Sequence, residues 1–246
     1  SSENIGNLSK KIILVRKKKT TKQIPKRISL RLKFFLKKEK ILETSNIIKY
    51  YIINNMKYSV VLPVYNEQEN INSLNKRITK VFVELKREYE IIFVNDGSHD
   101  KTKEILEDLH KKNNNIKVIN FSRNFGHQTA VTAGLDFASG DAVAILDADL
   151  QDPPEILPKF FAKLSQGYDV VYAIRKKRKE NILKIVAYSL FYKILHMIAS
   201  VDIPLDSGDF CVLSQRMVKT INSFPERNRF IRGLRSWAGF KQIGLE

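Results

Sequence analysis

The sequence predicts an α/β fold built on a mostly parallel sheet with helices on both faces. Three observations carry that expectation. Short runs rich in β-branched and apolar residues recur from Tyr58 onward, helix-length segments separate them, and acidic residues gather just after two of the runs. Strands alternating with helices read as βαβ units, whose crossovers cover both faces of a parallel sheet.

The expected elements follow in order. Tyr58–Val64, Ile91–Val94, Lys117–Phe121, Ala142–Leu146 and Val170–Ala173 are the strands. Gln68–Lys86, Thr102–Lys112, Gln128–Ala138 and Pro154–Gln166 are the helices between them. Ser98 and Asp100 stand where a helix cap is wanted, and Pro153-Pro154 suits a first turn. Gly140 and Gly167 fall where helices should stop. The segment Ile182–Val201 differs, because Ser189, Lys193, His196 and Ser200 form one polar stripe on an otherwise apolar helix. It reads either as a buried helix or as an amphipathic helix in the membrane interface, the second favoured by the basic residues 175–179 before it.

Charge divides the chain. Of the net +17, residues 1–57 hold 16 Lys/Arg against Glu3, Glu39 and Glu43, so the body from 58 to 246 is close to balanced. Residues 1–57 form a basic arm that is solvated and flexible or lies on an anionic membrane surface. Nucleic-acid contact through the arm is the rival from another functional class. A hydrophobic content of 43% supplies a core and excludes disorder of the whole chain. The lone Cys211 rules out an internal disulfide and fits a reducing compartment. No run reaches the ~18 apolar residues of a spanning helix, and Ile12–Val15 is too short for a secretory signal. The chain begins without Met and ends on Gly244-Leu245-Glu246, so it reads as a fragment, with any membrane span lying beyond its end.

The chemistry sits after the strands. Asp96 follows Ile91–Val94, while Asp147 and Asp149 follow Ala142–Leu146, the ends at which ligands collect in open α/β sheets. Asp147 and Asp149 share a side at i, i+2, and Gln151 extends the alternation with an amide oxygen. Such hard oxygen donors suit Mg²⁺ or Mn²⁺ with a diphosphate completing the shell. No Gly-x-Gly-x-x-Gly follows a strand and no Walker-type loop occurs, which removes dinucleotide oxidoreductases and P-loop enzymes. His127 and His196 lack partners for a zinc site and read as core or surface residues.

Pro63-Val64-Tyr65-Asn66-Glu67, Asn95-Asp96-Gly97-Ser98, Ser122–Gln128 and Asp147-Ala148-Asp149-Leu150-Gln151-Asp152-Pro153-Pro154-Glu155 together resemble family 2 glycosyltransferases. Within that family the chain is most similar to the polyprenyl-phosphate group, which includes dolichyl-phosphate mannose synthases and bactoprenol glucosyltransferases. The resemblance runs from about Tyr58 to Glu246 and leaves out the arm. It implies a GT-A (Rossmann-like) domain at 58–246, inversion at the anomeric carbon, and transfer from an NDP-sugar to polyprenyl phosphate, with UDP preferred over GDP.

By position, the resemblance places Pro63, Tyr65, Glu67, Asp96 and Arg123 at the nucleotide. Asp147, Asp149 and Gln151 become ligands of the metal and diphosphate. Asp209, in Ser207-Gly208-Asp209-Phe210, matches the catalytic base, although an already ionised phosphate acceptor makes orientation an equal role for it. Arg175, Arg229 and Arg232 are the candidates for holding the acceptor phosphate, for which the planar guanidinium is suited. Cys211 stands where relatives often carry Arg. The expected setting is the cytoplasmic face of a membrane, with a homo-oligomer compatible and no nucleic-acid partner. A non-lipid sugar acceptor is the rival reading within the enzymes.

Overall fold

The computed structural model describes residues 56–174 and 207–246. The expectations for the arm, for Arg175 and for the segment 182–201 lie outside the described residues. Strand β1 (Tyr58–Val64) leads to helix α1 (Ile71–Leu85), β2 (Tyr89–Asn95) to α2 (Thr102–Lys112), and β3 (Ile116–Asn120) to α3 (His127–Phe137). After β4 (Ala142–Ile145) come a 3-10 turn at Pro154–Ile156, α4 (Leu157–Leu164) and β5 (Val170–Ile174). The remaining described elements are β6 (Ser207–Ser214), α5 (Gln215–Ser223), α6 (Ile231–Trp237) and β7 (Gln242–Leu245).

The described strands form one sheet in the order β3-β2-β1-β4-β6-β5-β7. The pairs β1–β2, β1–β4, β2–β3 and β5–β7 are parallel, and β6 runs antiparallel to both β4 and β5. A single reversed strand therefore sits inside a parallel sheet. Its reversal brings the start of β6 to the edge where β4 ends.

Alternation along β1 explains the two layers of helices. Tyr58, Val60, Leu62 and Val64 face a core built with α1, α2 and α4. Val61 faces the other core, shared with α3, α5 and α6. Helix α1 offers Ile71, Leu74, Ile78, Val81 and Phe82 as one buried stripe at three- and four-residue spacing. Phe82, Tyr58 and Phe161 meet with ring centroids 4.2–6.0 Å apart, and burying each such ring contributes roughly 1.5–3 kcal/mol. On the other face, Gly134 lets α3 lie close to β1, since a Cβ there would collide with Val61 Cγ1. Among the described residues no helix is long and apolar enough to cross a membrane.

The five expected strands and four expected helices are present, with shifted ends: α1 starts at Ile71 rather than Gln68, and Pro154–Ile156 is 3-10 rather than α. The sequence reading assigned no helix or strand beyond Val201. There the chain forms β6, α5, α6 and β7, with Ser214 capping α5 by accepting from Met217 N at 3.2 Å.

Candidate functional site

The carboxyl ends of β1, β2 and β4 open into a cleft of about 450 Å³. Its walls are formed by the loops after those strands, by the start of α3 and by Asp209 of β6. The loops after β1 and β2 are tied to each other by side chains that imitate backbone pairing. Ser98 Oγ accepts from Asn66 N at 2.9 Å, Asn66 Oδ1 accepts from His99 N at 2.9 Å, and Thr102 Oγ1 accepts from Glu67 N at 3.0 Å. Short polar side chains at these positions replace the ladder that ends with the strands.

Asp96 is buried at 3% exposure and holds the third loop. Its two carboxylate oxygens accept the N–H groups of Phe125 at 2.7 Å and Gly126 at 2.9 Å. Beside it Gly97 has φ +68°, and a Cβ there would collide with the backbone of Arg123 and Asn124. The tight turn after β2 thus needs glycine both for its dihedral and for the crossing loop. Asp96 still lines the cleft, as do Pro63, Tyr65 and Glu67. Tyr65 presents a partly exposed ring there, and Glu67 is steadied by Asn70 Nδ2 donating to its Oε2 at 2.6 Å.

The acidic loop after β4 carries Asp147, Ala148 and Asp149 into the cleft. Leu150 then adopts φ +65°, which turns the chain, and Gln151 N folds back to donate to Asp149 Oδ1 at 3.0 Å. Gln151 is exposed and stands outside the cleft lining. The expected comb of three donors therefore stops at two, because a left-handed residue breaks the alternation on which the third depended. The far end of the loop is clasped to α1 by Arg77, whose Nε and Nη2 donate to Glu155 at 2.8 and 2.7 Å.

Asp209 reaches the same mouth through sheet register. The last pair of the β4–β6 ladder is Ile145 with Cys211. Two residues further along each antiparallel strand bring Asp147 and Asp209 to one edge. Arg232 Nη2 lies 3.0 Å from Asp209 Oδ2, so the candidate base and one candidate phosphate ligand form an ion pair. Arg229 is placed otherwise. Its guanidinium donates to the carbonyls of Glu226 at 3.1 Å, Asn222 at 3.3 Å and Phe224 at 3.0 Å, closing the turn before α6 away from the cleft lining. Arg123 also stays off the lining. It stacks over the Phe125 ring at 4.0 Å and donates to Asn124 O at 2.9 Å, while Asn124 and Gly126 face the cleft in its place.

Two residues at the site were missed in the sequence. His127 begins α3 inside the cleft, with Nε2 3.7 Å from Asp147 Oδ1, rather than in a core or on an outer surface. Arg235 is buried beneath Asp209 at 1% exposure, in a small cavity shared with Arg232, His127 and Cys211. Burial pushes the Cys211 thiol pKa up, with Arg235 opposing that shift. The i, i+3 spacing of Arg232 and Arg235 was the only sequence cue that both turn toward one wall.

Glu67, Asp96, Asp147, Asp149 and Asp209 make the cleft rich in carboxylate. A diphosphate entering it would be repelled unless a divalent cation came between them. Asp147 and Asp149 offer two hard oxygen donors, and among the described residues no cluster of three or more His, Cys, Asp or Glu forms a self-sufficient metal site. Mg²⁺ and Mn²⁺ sites completed by substrate phosphates have this donor economy. The residues present fit such an ion.

Residues 59–221 match the family model described as Glycosyl transferase family 2. A Bacillus subtilis protein called glycosyltransferase YkcC is 45% identical over 192 residues, covering 78% of this chain and 59% of that protein. A bactoprenol glucosyl transferase of Shigella phage SfV is 43% identical over 186 residues, covering 75% and 60%. The chain thus spans about three fifths of the length of these relatives. Among solved structures, residues 1–349 of Staphylococcus aureus TarS align with a TM-score of 0.51 at 21% identity, over 77% of this chain and 58% of that one. Glucosyl-3-phosphoglycerate synthase of Mycobacterium tuberculosis, solved with Mn²⁺, UDP-glucose and phosphoglyceric acid, aligns with a TM-score of 0.50 at 22% identity, over 68% and 59%. These two likenesses speak to the fold.

Proposed function

The chain belongs to glycosyl transferase family 2, and from that premise we propose that its cleft moves a sugar from a nucleoside diphosphate, UDP before GDP, to a polyprenyl phosphate. One observation carries the reading: Asp147, Asp149 and Asp209, the last paired with Arg232, converge on a single cleft at the carboxyl edge of the sheet. The named relatives supply the acceptor class, since a bactoprenol glucosyl transferase is 43% identical. The structural neighbour solved with Mn²⁺ and UDP-glucose agrees with the donor and metal assignment.

In this reading the residues of the cleft divide the work. Tyr65, Pro63 and Asp96 take the base and ribose, and Glu67 steadies the wall beside them. Asp147 and Asp149 would hold Mg²⁺ or Mn²⁺, which when bound offsets the charge growing on the leaving diphosphate. An oxygen of the acceptor phosphate attacks the anomeric carbon from the face opposite the diphosphate. The new C–O bond forms as the bond to the β-phosphate oxygen breaks, NDP leaves, and the configuration inverts. Arg232, paired with Asp209, would receive the acceptor phosphate, and Asp209 orients the attacking group or takes a proton from it if one remains. A lipid-linked acceptor would set the domain at a membrane, and the cytoplasmic face is the side proposed.

The test is Asp149→Asn, judged together with metal removal. Asp149 is exposed at a loop, so the variant is expected to fold and melt like the parent while Mn²⁺ affinity and turnover both fall, turnover by roughly a hundredfold or more. Mn²⁺ binding followed by electron paramagnetic resonance reads the first effect, and release of UDP from a panel of UDP- and GDP-sugars reads the second. Normal turnover in the variant, or full activity of the parent in EDTA, rules the metal-assisted mechanism out.

A further inference from the structure

Beneath the Asp209–Arg232 pair lies a second layer of similar construction. Asp209 and Cys211 stand two apart on β6 and share one side of the strand, while Arg232 and Arg235 stand three apart on α6 and share one side of the helix. The upper layer is the ion pair, Arg232 Nη2 to Asp209 Oδ2 at 3.0 Å. The lower layer sets the Arg235 guanidinium against the Cys211 thiol, each residue only 1% exposed. The guanidinium carbon of Arg235 also lies over the Tyr172 ring, 5.1 Å from its centroid.

A thiol and an aromatic face are weak partners for a buried cation that cannot give up its proton. Nε and Nη2 of Arg235 have no acceptor among the described residues, and neither has Nε of Arg232. Both arginines line a cavity of about 10 Å³, room for about one water, which His127, Gln128, Cys211 and Asp209 also border. Asp209 is the one carboxylate among the residues lining it. Two guanidinium groups thus share a single carboxylate where little water screens them, and the balance is positive.

That surplus has a use when the acceptor arrives. A phosphate monoester carries a charge of about −1.5 to −2 near neutrality, and Arg232 alone cannot balance both it and Asp209. We propose that Arg235 is a positioning residue, the standing counter-ion of Asp209, which holds that carboxylate at the cleft wall while Arg232 is shared with the acceptor phosphate. Arg235 acts through Asp209 and touches no substrate. Its purpose rests on the acceptor reading above, whereas its coupling to Asp209 does not.

A double-mutant cycle of Arg235→Met and Asp209→Asn in the 246-residue protein tests this, since each change removes one charge at little cost in volume. The cycle is read first by urea unfolding. The effect of Arg235→Met on the folding constant is expected to differ about tenfold between the parent and the Asp209→Asn background. It is read again by transfer to a short-chain polyprenyl phosphate, with the donor that the sugar panel selects. Arg235→Met is expected to lower kcat about tenfold with the donor KM within about twofold, and to cost less than about twofold once Asp209→Asn is present. Arg235→Lys keeps the charge and is expected to recover most of the lost kcat. Arg235→Gln takes the place of Arg235→Met in the cycle should the methionine variant fold poorly. A role in packing alone gives a lower folding constant with kcat unchanged, or equal losses in both backgrounds, and either result overturns the proposal. So does a folded Arg235→Lys protein no faster than Arg235→Met. Absence of transfer by the parent removes the acceptor reading instead. The urea cycle then still decides whether Arg235 serves Asp209, and zero coupling there overturns the proposal by itself.

Discussion

Arg229 and Arg232 are three residues apart and are placed differently, because one turn of chain separates a side chain that closes a loop from one that pairs with Asp209 at the edge of the cleft. Arg229 donates to three main-chain carbonyls, and those acceptors lose their charged partner if it is removed. Arg229→Ala is therefore expected to cost about 1–3 kcal/mol of stability, seen as a lower Tm, with catalytic constants near those of the parent once folded. Arg232→Ala is expected to do the reverse. It leaves a partly exposed Asp209 to solvent at modest cost in Tm, while transfer to polyprenyl phosphate falls roughly ten- to a hundredfold. Thermal melts and initial rates on both variants decide the matter, and a stable but inactive Arg229→Ala protein contradicts the division of labour.

At the scale of elements, the turn after β2 joins fold to site. Gly97 takes φ +68° under the backbone of Arg123 and Asn124, and its neighbour Asp96 grips Phe125 and Gly126. A methyl group at position 97 meets main chain, which cannot rotate away. Gly97→Ala is expected to cost about 1–3 kcal/mol and to raise the KM for the donor, since the 123–126 loop must withdraw from the cleft it lines. An unchanged Tm and donor KM would show that the loop yields freely. The first five strands and the acidic residues after them were legible in the sequence because periodicity and a strand-to-loop position are local properties. The later half was not. The direction of β6 is set by pairing with β4 and β5, strands distant in sequence, and Asp209 reaches the cleft only through that reversed register. Gln151 was misplaced for a local reason that composition conceals, a left-handed Leu150. His127 looked bland because its partner, Asp147, comes from another strand.

Across the whole molecule, the two edges of the sheet carry opposite duties. The carboxyl edge crowds Asp96, Asp147, Asp149 and Asp209 for the sake of a ligand. Near the other edge one buried carboxylate, Glu90, is held by Ser59, Ser139 and Lys117. Ser59 Oγ donates to its Oε1 at 2.6 Å, Ser139 donates through N and Oγ at 2.8 Å each, and Lys117 Nζ lies 2.7 Å from Oε2. Burial alone would raise this carboxyl's pKa, but the partners, Lys117 foremost, outweigh it and hold the pKa at about 2, against an ordinary 4.5. A pKa depressed in the folded state favours folding wherever the unfolded chain would bind the extra proton. The contribution is thus complete above the unfolded pKa, at about 3 kcal/mol near neutrality, and is lost as pH falls from 4.5 toward about 2. Glu90→Gln keeps the shape and removes the charge. Its unfolding free energy in urea is expected to lie below the parent's by about that amount at pH 7, with the two curves converging as pH drops through that window. A gap of constant size from pH 7 to pH 3 would mean that Glu90 contributes packing and neutral hydrogen bonds rather than charge. Loss of donor binding at neutral pH in a folded variant would mean that the two edges are not independent.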